Sequence, residues 1–242
     1  MESPLHHFEL HPIIPLTLLG FDISINKAIL AMWAGMAVLF ILFRLAIHGG
    51  MKLVPGRLQN FAEITLEFLL SMVTEYIGKE GKKYFPFIAT LFLFLFSCNL
   101  IGLVPGSYTL TSQLVVTGTF AVFIFFMTLV IGFARHGLHF LGILVPPGIP
   151  KILIPLMIPI EIISMLARPL TLAVRLFANM TAGHTLMGVL FGMALVAPLY
   201  IGWLPFGFTV VVNGLEIFIA FIQAYIFSLL TCVYISDALK LH

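Results

Sequence analysis

The chain of 242 residues is 61% hydrophobic and only 9% charged, with a formal net charge of +2. Soluble domains carry roughly 25% charged residues, so this balance excludes an ordinary soluble protein and points to a polytopic membrane protein. Nucleic acid is excluded as a partner too, because there is no basic tail and no basic patch interleaved with aromatics.

Residues 1–26 contain no Lys or Arg and carry Glu2, Glu9 and Asp22. A cleavable signal or transit peptide needs a basic start, so the first apolar segment is expected to stay in the mature protein. His6, His7 and His11 lie in a Pro-containing stretch and are read as solvated, with no metal implied. A first membrane helix is predicted over 27–47, followed by a Gly49-Gly50 and Pro55-Gly56 break among Arg44, Lys52 and Arg57. Over 57–78, Leu58, Phe61, Ala62, Thr65, Leu66, Leu69 and Met72 recur at helical spacing, while Glu63, Glu67 and Glu75 fall largely elsewhere. That pattern suits an amphipathic helix lying in the membrane interface, with a short soluble hairpin helix as the alternative.

Spans at 84–104 and 113–134 follow, joined by the uncharged turn Pro105-Gly106-Ser107-Tyr108. A loop with Arg135, His136, His139, Pro146-Pro147-Gly148 and Lys151 comes next, its two histidines read as solvated loop residues. The last third holds two apolar segments, 152–193 and 205–239, on either side of a connector with Pro198, Gly202 and Trp203. At ~1.5 Å per residue these would extend about 60 and 50 Å, against a hydrocarbon core of about 30 Å. The first must therefore lie steeply inclined or bend at Pro159, Pro169 or Gly183, unless it is a broken helix of two short halves.

The fold class is thus an all-α membrane protein forming one domain over 1–242. It has five membrane-embedded helices and one interfacial amphipathic helix, the last two helices making a long, steeply tilted hairpin. Arg44, Lys52, Arg57, Lys79, Lys82, Lys83, Arg135, Lys151 and Lys240 all fall on one side if the N-terminus is outside and the C-terminus inside. Cys98 and Cys232 lie in predicted spans without CxxC spacing and read as small apolar residues. The chain has no GxxxxGK[ST], GxSxG or HExxH motif and no GxGxxG in a strand–helix setting. No cofactor, metal or enzymatic nucleophile is expected.

The chemistry concentrates in the last third. Glu161, Arg168 and Arg175 are spaced by seven, which at 100° per residue returns each to nearly the same helix face. Ser164, Thr171, Ala178, Asn179 and Ala182 lie on or near that stripe. A charge at bilayer depth costs at least ~2.5–3.5 kcal/mol on insertion scales, so a lipid-facing Arg175 is hard to account for by packing. Small residues beside it let another helix approach closely, which points to a partner. Glu216 and Gln223, also seven apart, share a face near Asn213. A hairpin would bring His184 near Glu216 and Gln223 near Arg175. A His–Glu pair at that depth can order water and relay protons.

These residues carry a resemblance. The run Arg168-Pro-Leu-Thr-Leu-Ala-Val-Arg175-Leu-Phe-Ala-Asn179-Met180, with Ala182-Gly183-His184, resembles the signature of subunit a of F-type ATP synthases. So do Glu216–Tyr234, with Gln223-Ala224-Tyr225-Ile226-Phe227, then Asn99-Leu100-Ile101-Gly102-Leu103-Val104-Pro105 and the opening Ser3-Pro4-Leu5-His6-His7-Phe8-Glu9. His184 and Glu216 in that order resemble mitochondrial and alphaproteobacterial members, other members having the acid and the histidine reversed.

The resemblance implies a proton-translocating stator subunit, not catalytic on its own, in a bacterial plasma (inner) membrane or mitochondrial inner membrane. Its implied partners are an oligomeric ring of c subunits, b-type peripheral-stalk subunits and, indirectly, the catalytic sector. Arg175 would be the fixed stator charge, with Asn179 and Gln223 as polar neighbours. His184 and Glu216 would serve an outer half-channel, and Glu161 with Ser164 an inner one. Arg168 matches a position where a basic residue is usual. The competing readings are a self-contained ion channel or secondary transporter, and a non-transporting anchor subunit.

Overall fold

The structure is a computed structural model that describes residues 12–14, 17–18, 21–22, 25–48, 50, 55–103, 113–144, 153–196 and 203–240. Some side chains within the helices, His184 among them, also lie outside the described part. Outside it too are His6, His7, His11, Lys52, the Pro105–Tyr108 turn, Pro146–Gly148, Lys151, Pro198 and Gly202.

The architecture is helical. Helix α1 spans Lys27–Ile47, α2 Arg57–Tyr76, α3 Phe85–Gly102, α4 Leu114–His136, α5 Ile154–Val196 and α6 Trp203–Leu239. Ahead of them come two short antiparallel pairs. Strand β1 (Pro12–Ile14) pairs with β4 (Ile25–Asn26), and β2 (Thr17–Leu18) pairs with β3 (Phe21–Asp22). The β-branched Ile14, Thr17 and Ile25 favour that extended backbone.

Among the described residues five helices are long and apolar enough to cross a membrane: α1, α3, α4, α5 and α6. Helix α2 is the amphipathic one. Its apolar residues divide between two sides: Leu69, Met72 and Val73 are buried in the bundle, while Leu58, Phe61, Ile64 and Phe68 face outward. The single apolar stripe expected from Leu58 to Met72 is therefore split, one part packing on protein and the other left exposed. Glu63, Glu67 and Glu75 are exposed.

Helix ends follow local chemistry. Pro86 enters α3 in its first turn, where its missing N–H would be unpaired in any case. Helix α4 closes with Arg135 and His136, cations that favour the negative end of the helix dipole, and stops at Gly137, whose φ of +57° suits glycine. The helix thus reaches His136. Instead of a solvated loop residue, His136 is half-buried, with Nε2 3.2 Å from the Leu239 carbonyl. His139, in the 3₁₀ segment after it, is exposed.

Helix α6 is central and packs against α2, α3, α4 and α5. The core joins Leu69 and Val73 of α2, Phe92 and Leu95 of α3, Ile124 of α4, Leu176 of α5, and Phe227 and Ile235 of α6. Helix α1 sits at the edge, touching α3 where Gly35 lets the Cys98 thiol approach. Its Trp33, Phe40, Ile41 and Leu45 face outward. Both Cys98 and Cys232 are buried free thiols.

Helix α5 is continuous and bent, with 43 residues against 37 in α6. Those lengths correspond to about 64 and 55 Å of helix, roughly twice the hydrocarbon thickness. Pro159 and Pro169 lie inside α5, where each leaves out one N–H of the hydrogen-bond ladder and so favours bending.

Candidate functional site

The two overlong helices run antiparallel, and polar residues of both meet along their seam. Arg168 of α5 faces Asp237 of α6, with Nη1 3.5 Å from Oδ2. Farther along α5, Asn179 Nδ2 donates to Gln223 Oε1 at 3.2 Å. One turn on, Gly183 meets Glu216. Moving up α5 therefore means moving back along α6, past three polar steps.

At the first step Arg168 also reaches Glu161 one heptad back on its own helix, Nη2 to Oε1 3.8 Å. Its guanidinium stands 5.9 Å from the centre of the Tyr234 ring. Spacing alone marks Glu161 and Arg168 as site residues. The structure adds Asp237 and Tyr234, which the sequence reasoning missed. A signal for Asp237 existed, since it lies two further heptad steps beyond Gln223 on the stripe that holds Glu216 and Gln223. Ser164 lies between Glu161 and Arg168 and is half-buried.

At the second step Gln223 is buried, 2% exposed, and its Nε2 has no hydrogen-bond partner among the described residues. Its oxygen is held by Asn179, one turn beyond Arg175, so Gln223 is tied to the arginine's neighbour. Asn99 of α3 supports this part of α6 by donating from Nδ2 to the Ala220 carbonyl at 3.4 Å.

At the third step Glu216 is 7% exposed, and neither carboxylate oxygen has a hydrogen-bond partner among the described residues. Burying an unpaired carboxylate costs several kcal/mol, so this group is a liability to folding alone. The space for it exists because residue 183 is glycine: a methyl there would overlap Glu216 Oε1. His184 is the next residue of α5, so the Glu216 carboxylate lies against the backbone leading into that histidine. Thr181 Oγ1 and Ser228 Oγ are further buried polar atoms without partners among the described residues. Sites of this kind, polar and lined by unsatisfied donors and acceptors, suit bound water.

Arg175 takes no part in these three steps, although Tyr234 lies within its electrostatic reach. It is the midpoint of α5, with residues 154–174 before it and 176–196 after it. It is exposed, as are Thr171, Ala178, Asn179 and Ala182 on its side and the apolar Leu170 and Val174 beside it. Among the described residues it has no ion-pair partner. The opposite side of α5 is the packed one, through Ala173, Leu176 and Met180. A guanidinium therefore projects from the middle of an apolar membrane helix, on a face of small residues, with no described group of its own chain to neutralise it.

Bundle and seam together define the class: an integral membrane protein whose two longest helices enclose a carboxyl group, Glu216, and present a cation outward, both unpaired among the described residues. Comparison with known proteins specifies it. The family model described as "ATP synthase A chain" matches residues 29–236. The chain is 49% identical to "ATP synthase subunit a" of Magnetococcus marinus, over 99% of this chain and 94% of that one. It is 44% identical to the protein of that name from Rhodospirillum rubrum over the full length of both. A third relative so named, from Pelagibacter ubique, is also 44% identical, over 99% of this chain and 98% of its own. The chain belongs to the ATP synthase A chain family.

Proposed function

We propose that this chain is the proton-conducting stator subunit of a rotary ATP synthase, with two offset half-channels separated by Arg175. The observation that carries the reading is Arg175 itself: an exposed, unpaired cation at the midpoint of α5 among small residues. Such a face calls for a partner that brings a carboxylate to membrane depth. A ring of proteolipid c subunits, each with a membrane-embedded carboxylate, has that chemistry.

An opposite charge within ~4–6 Å favours the ionised form of a carboxylate. A protonated ring site arriving at Arg175 therefore releases its proton, and the ionised site is held until the next step. Arginine suits this role because its charge stays fixed, whereas a buried lysine can lose its proton. Arg175 acts as an electrostatic gate and carries no proton.

Protons enter from outside through Glu216, His184 and Asn179, where the unpartnered Glu216 oxygens and the Gln223 and Thr181 atoms line a path for ordered water. They leave inward past Glu161 and Ser164, beside the Arg168–Asp237 pair. The offset between the two ends of the seam forbids a direct leak. Each proton crossing ~100 mV releases ~2.3 kcal/mol, so several must be combined per ATP. The chain performs no bond chemistry of its own. The N-terminus lies outside and the C-terminus inside the bacterial plasma membrane or its mitochondrial counterpart, and α2 meets the b-type peripheral stalk.

The test is Arg175→Ala in membrane vesicles, scoring ATP-driven proton pumping and passive leak separately. Pumping falls at least ~100-fold, the range lost when one preorganised electrostatic group is removed, and leak rises. Near-normal pumping would sink the gate assignment. A self-contained channel or transporter predicts transport by the purified chain without a copurifying proteolipid ring.

A further inference from the structure

We infer that the end of the bundle built around the turn Lys79–Lys83 is a binding ledge for the phosphate headgroup of an anionic phospholipid. Three contacts assemble it. Arg135 grips Glu80 with two 2.8 Å bonds, Nη1 to Oε2 and Nη2 to Oε1. His136 sits on the Leu239 carbonyl, and the Ser236 hydroxyl donates to the Tyr76 carbonyl at 2.8 Å. The ends of α2, α4 and α6 are thereby fixed beside one short 3₁₀ turn.

Glu80 is the single carboxylate in that turn, and both of its oxygens are occupied by Arg135. It is therefore engaged elsewhere than on the three lysines around it. Lys79, Lys82 and Lys83 are exposed, and none has an ion-pair partner among the described residues. Helix α3 sets their depth: the turn ends at Lys83, and this spanning helix begins at Phe85. The ammonium groups stand at the boundary between headgroups and hydrocarbon, where clustered lysines attract anionic lipid. From Arg135, α4 leads back into the membrane with Phe133, Val130 and Phe126 exposed. Cations above an apolar strip match a headgroup above its acyl chains. An acidic protein segment would leave that strip uncovered.

The experiment uses the full-length chain in vesicles doped with spin-labelled phosphatidylglycerol or phosphatidylcholine, reading the motionally restricted fraction. The expected result is a preference for phosphatidylglycerol of roughly fivefold that declines as salt shortens the ~10 Å screening length at 0.1 M. The K79Q/K82Q/K83Q variant brings that preference to within about twofold, while K79R/K82R/K83R keeps it and so excludes misfolding as the cause. R57Q, at the far end of α2, leaves it unchanged. The inference is overturned if the glutamine variant keeps the preference, or if R57Q loses as much. It is also overturned if the glutamine variant keeps its lipid selectivity but its complex loses a neighbouring subunit, which makes the ledge a protein contact.

Discussion

Glu216 and the missing side chain of Gly183 occupy one small volume between α5 and α6. In an ordinary helix interior, replacing glycine by alanine stabilises by roughly 0.5–1 kcal/mol. At position 183 the added methyl must push the Glu216 carboxylate aside, and among the described residues no hydrogen bond anchors Glu216 elsewhere. The two effects separate stability from function. Gly183→Ala is expected to leave a chain that still inserts and assembles, while proton passage through the outer half-channel, in either direction, falls about tenfold, the low end for a misplaced proton-transfer group. The measurement is the ATP-driven acidification rate in inverted vesicles alongside the amount of assembled complex. A normal rate with unchanged or raised stability would mean that Glu216 does not conduct from this position.

At the scale of the element, the hairpin is held by few polar contacts, and the Asn179–Gln223 hydrogen bond is the most enclosed of them. A neutral bond of this kind contributes ~0.5–1.5 kcal/mol, while leaving one buried partner unsatisfied costs ~1–3 kcal/mol. Asn179→Ala and Gln223→Ala should therefore each cost more than half of the double variant, with a coupling of about 1 kcal/mol in a double-mutant cycle. Chemical unfolding in mixed micelles checks this, and strict additivity would show that the bond contributes nothing. The same element separates what residue order encodes from what it does not. Seven-residue spacing puts Glu161, Arg168 and Arg175 on one face, and Glu216 and Gln223 on another, because 3.6-residue periodicity acts within a helix. Pairing across the hairpin depends on register, which no spacing within one helix encodes. A hairpin is expected to bring Gln223 near Arg175, and the structure adds the contact that holds it there, a hydrogen bond from Asn179, one turn from that arginine. Heptad spacing puts Asp237 on the stripe of Glu216 and Gln223, but its pairing with Arg168 depends on register between the two helices and is not encoded by that spacing. His136 reads as a loop residue because α4 runs on to Gly137, past the end of the apolar run.

At the scale of the whole molecule, the bundle is asymmetric: α6 packs against four helices, while α5 covers it on one side and leaves its own other side bare. The all-α class and the five long apolar helices are legible in the sequence because apolar runs of membrane length exceed what strands or ordinary buried helices need. The bare face of α5 is legible too, from the small residues flanking Arg175, and the exposed Ala178 and Ala182 fit that reasoning. A rotor contact constrains that face sharply. A lipid-exposed surface tolerates a large apolar side chain, since hydrocarbon yields around it. A surface against which a protein ring turns does not, because overpacking a close helix contact costs ~1–3 kcal/mol and blocks passage. Ala178→Trp is therefore expected to abolish ATP-driven pumping or to prevent ring association, with the chain still present in the membrane. Val130→Trp, on the outward face of α4 and 65% exposed, is expected to pump within about twofold of the parent, as surface changes usually do. Pumping rates and ring copurification from the same membranes decide it. If Ala178→Trp pumps as well as Val130→Trp, the face of Arg175 looks onto lipid, and the unpaired cation has some role other than meeting a rotor.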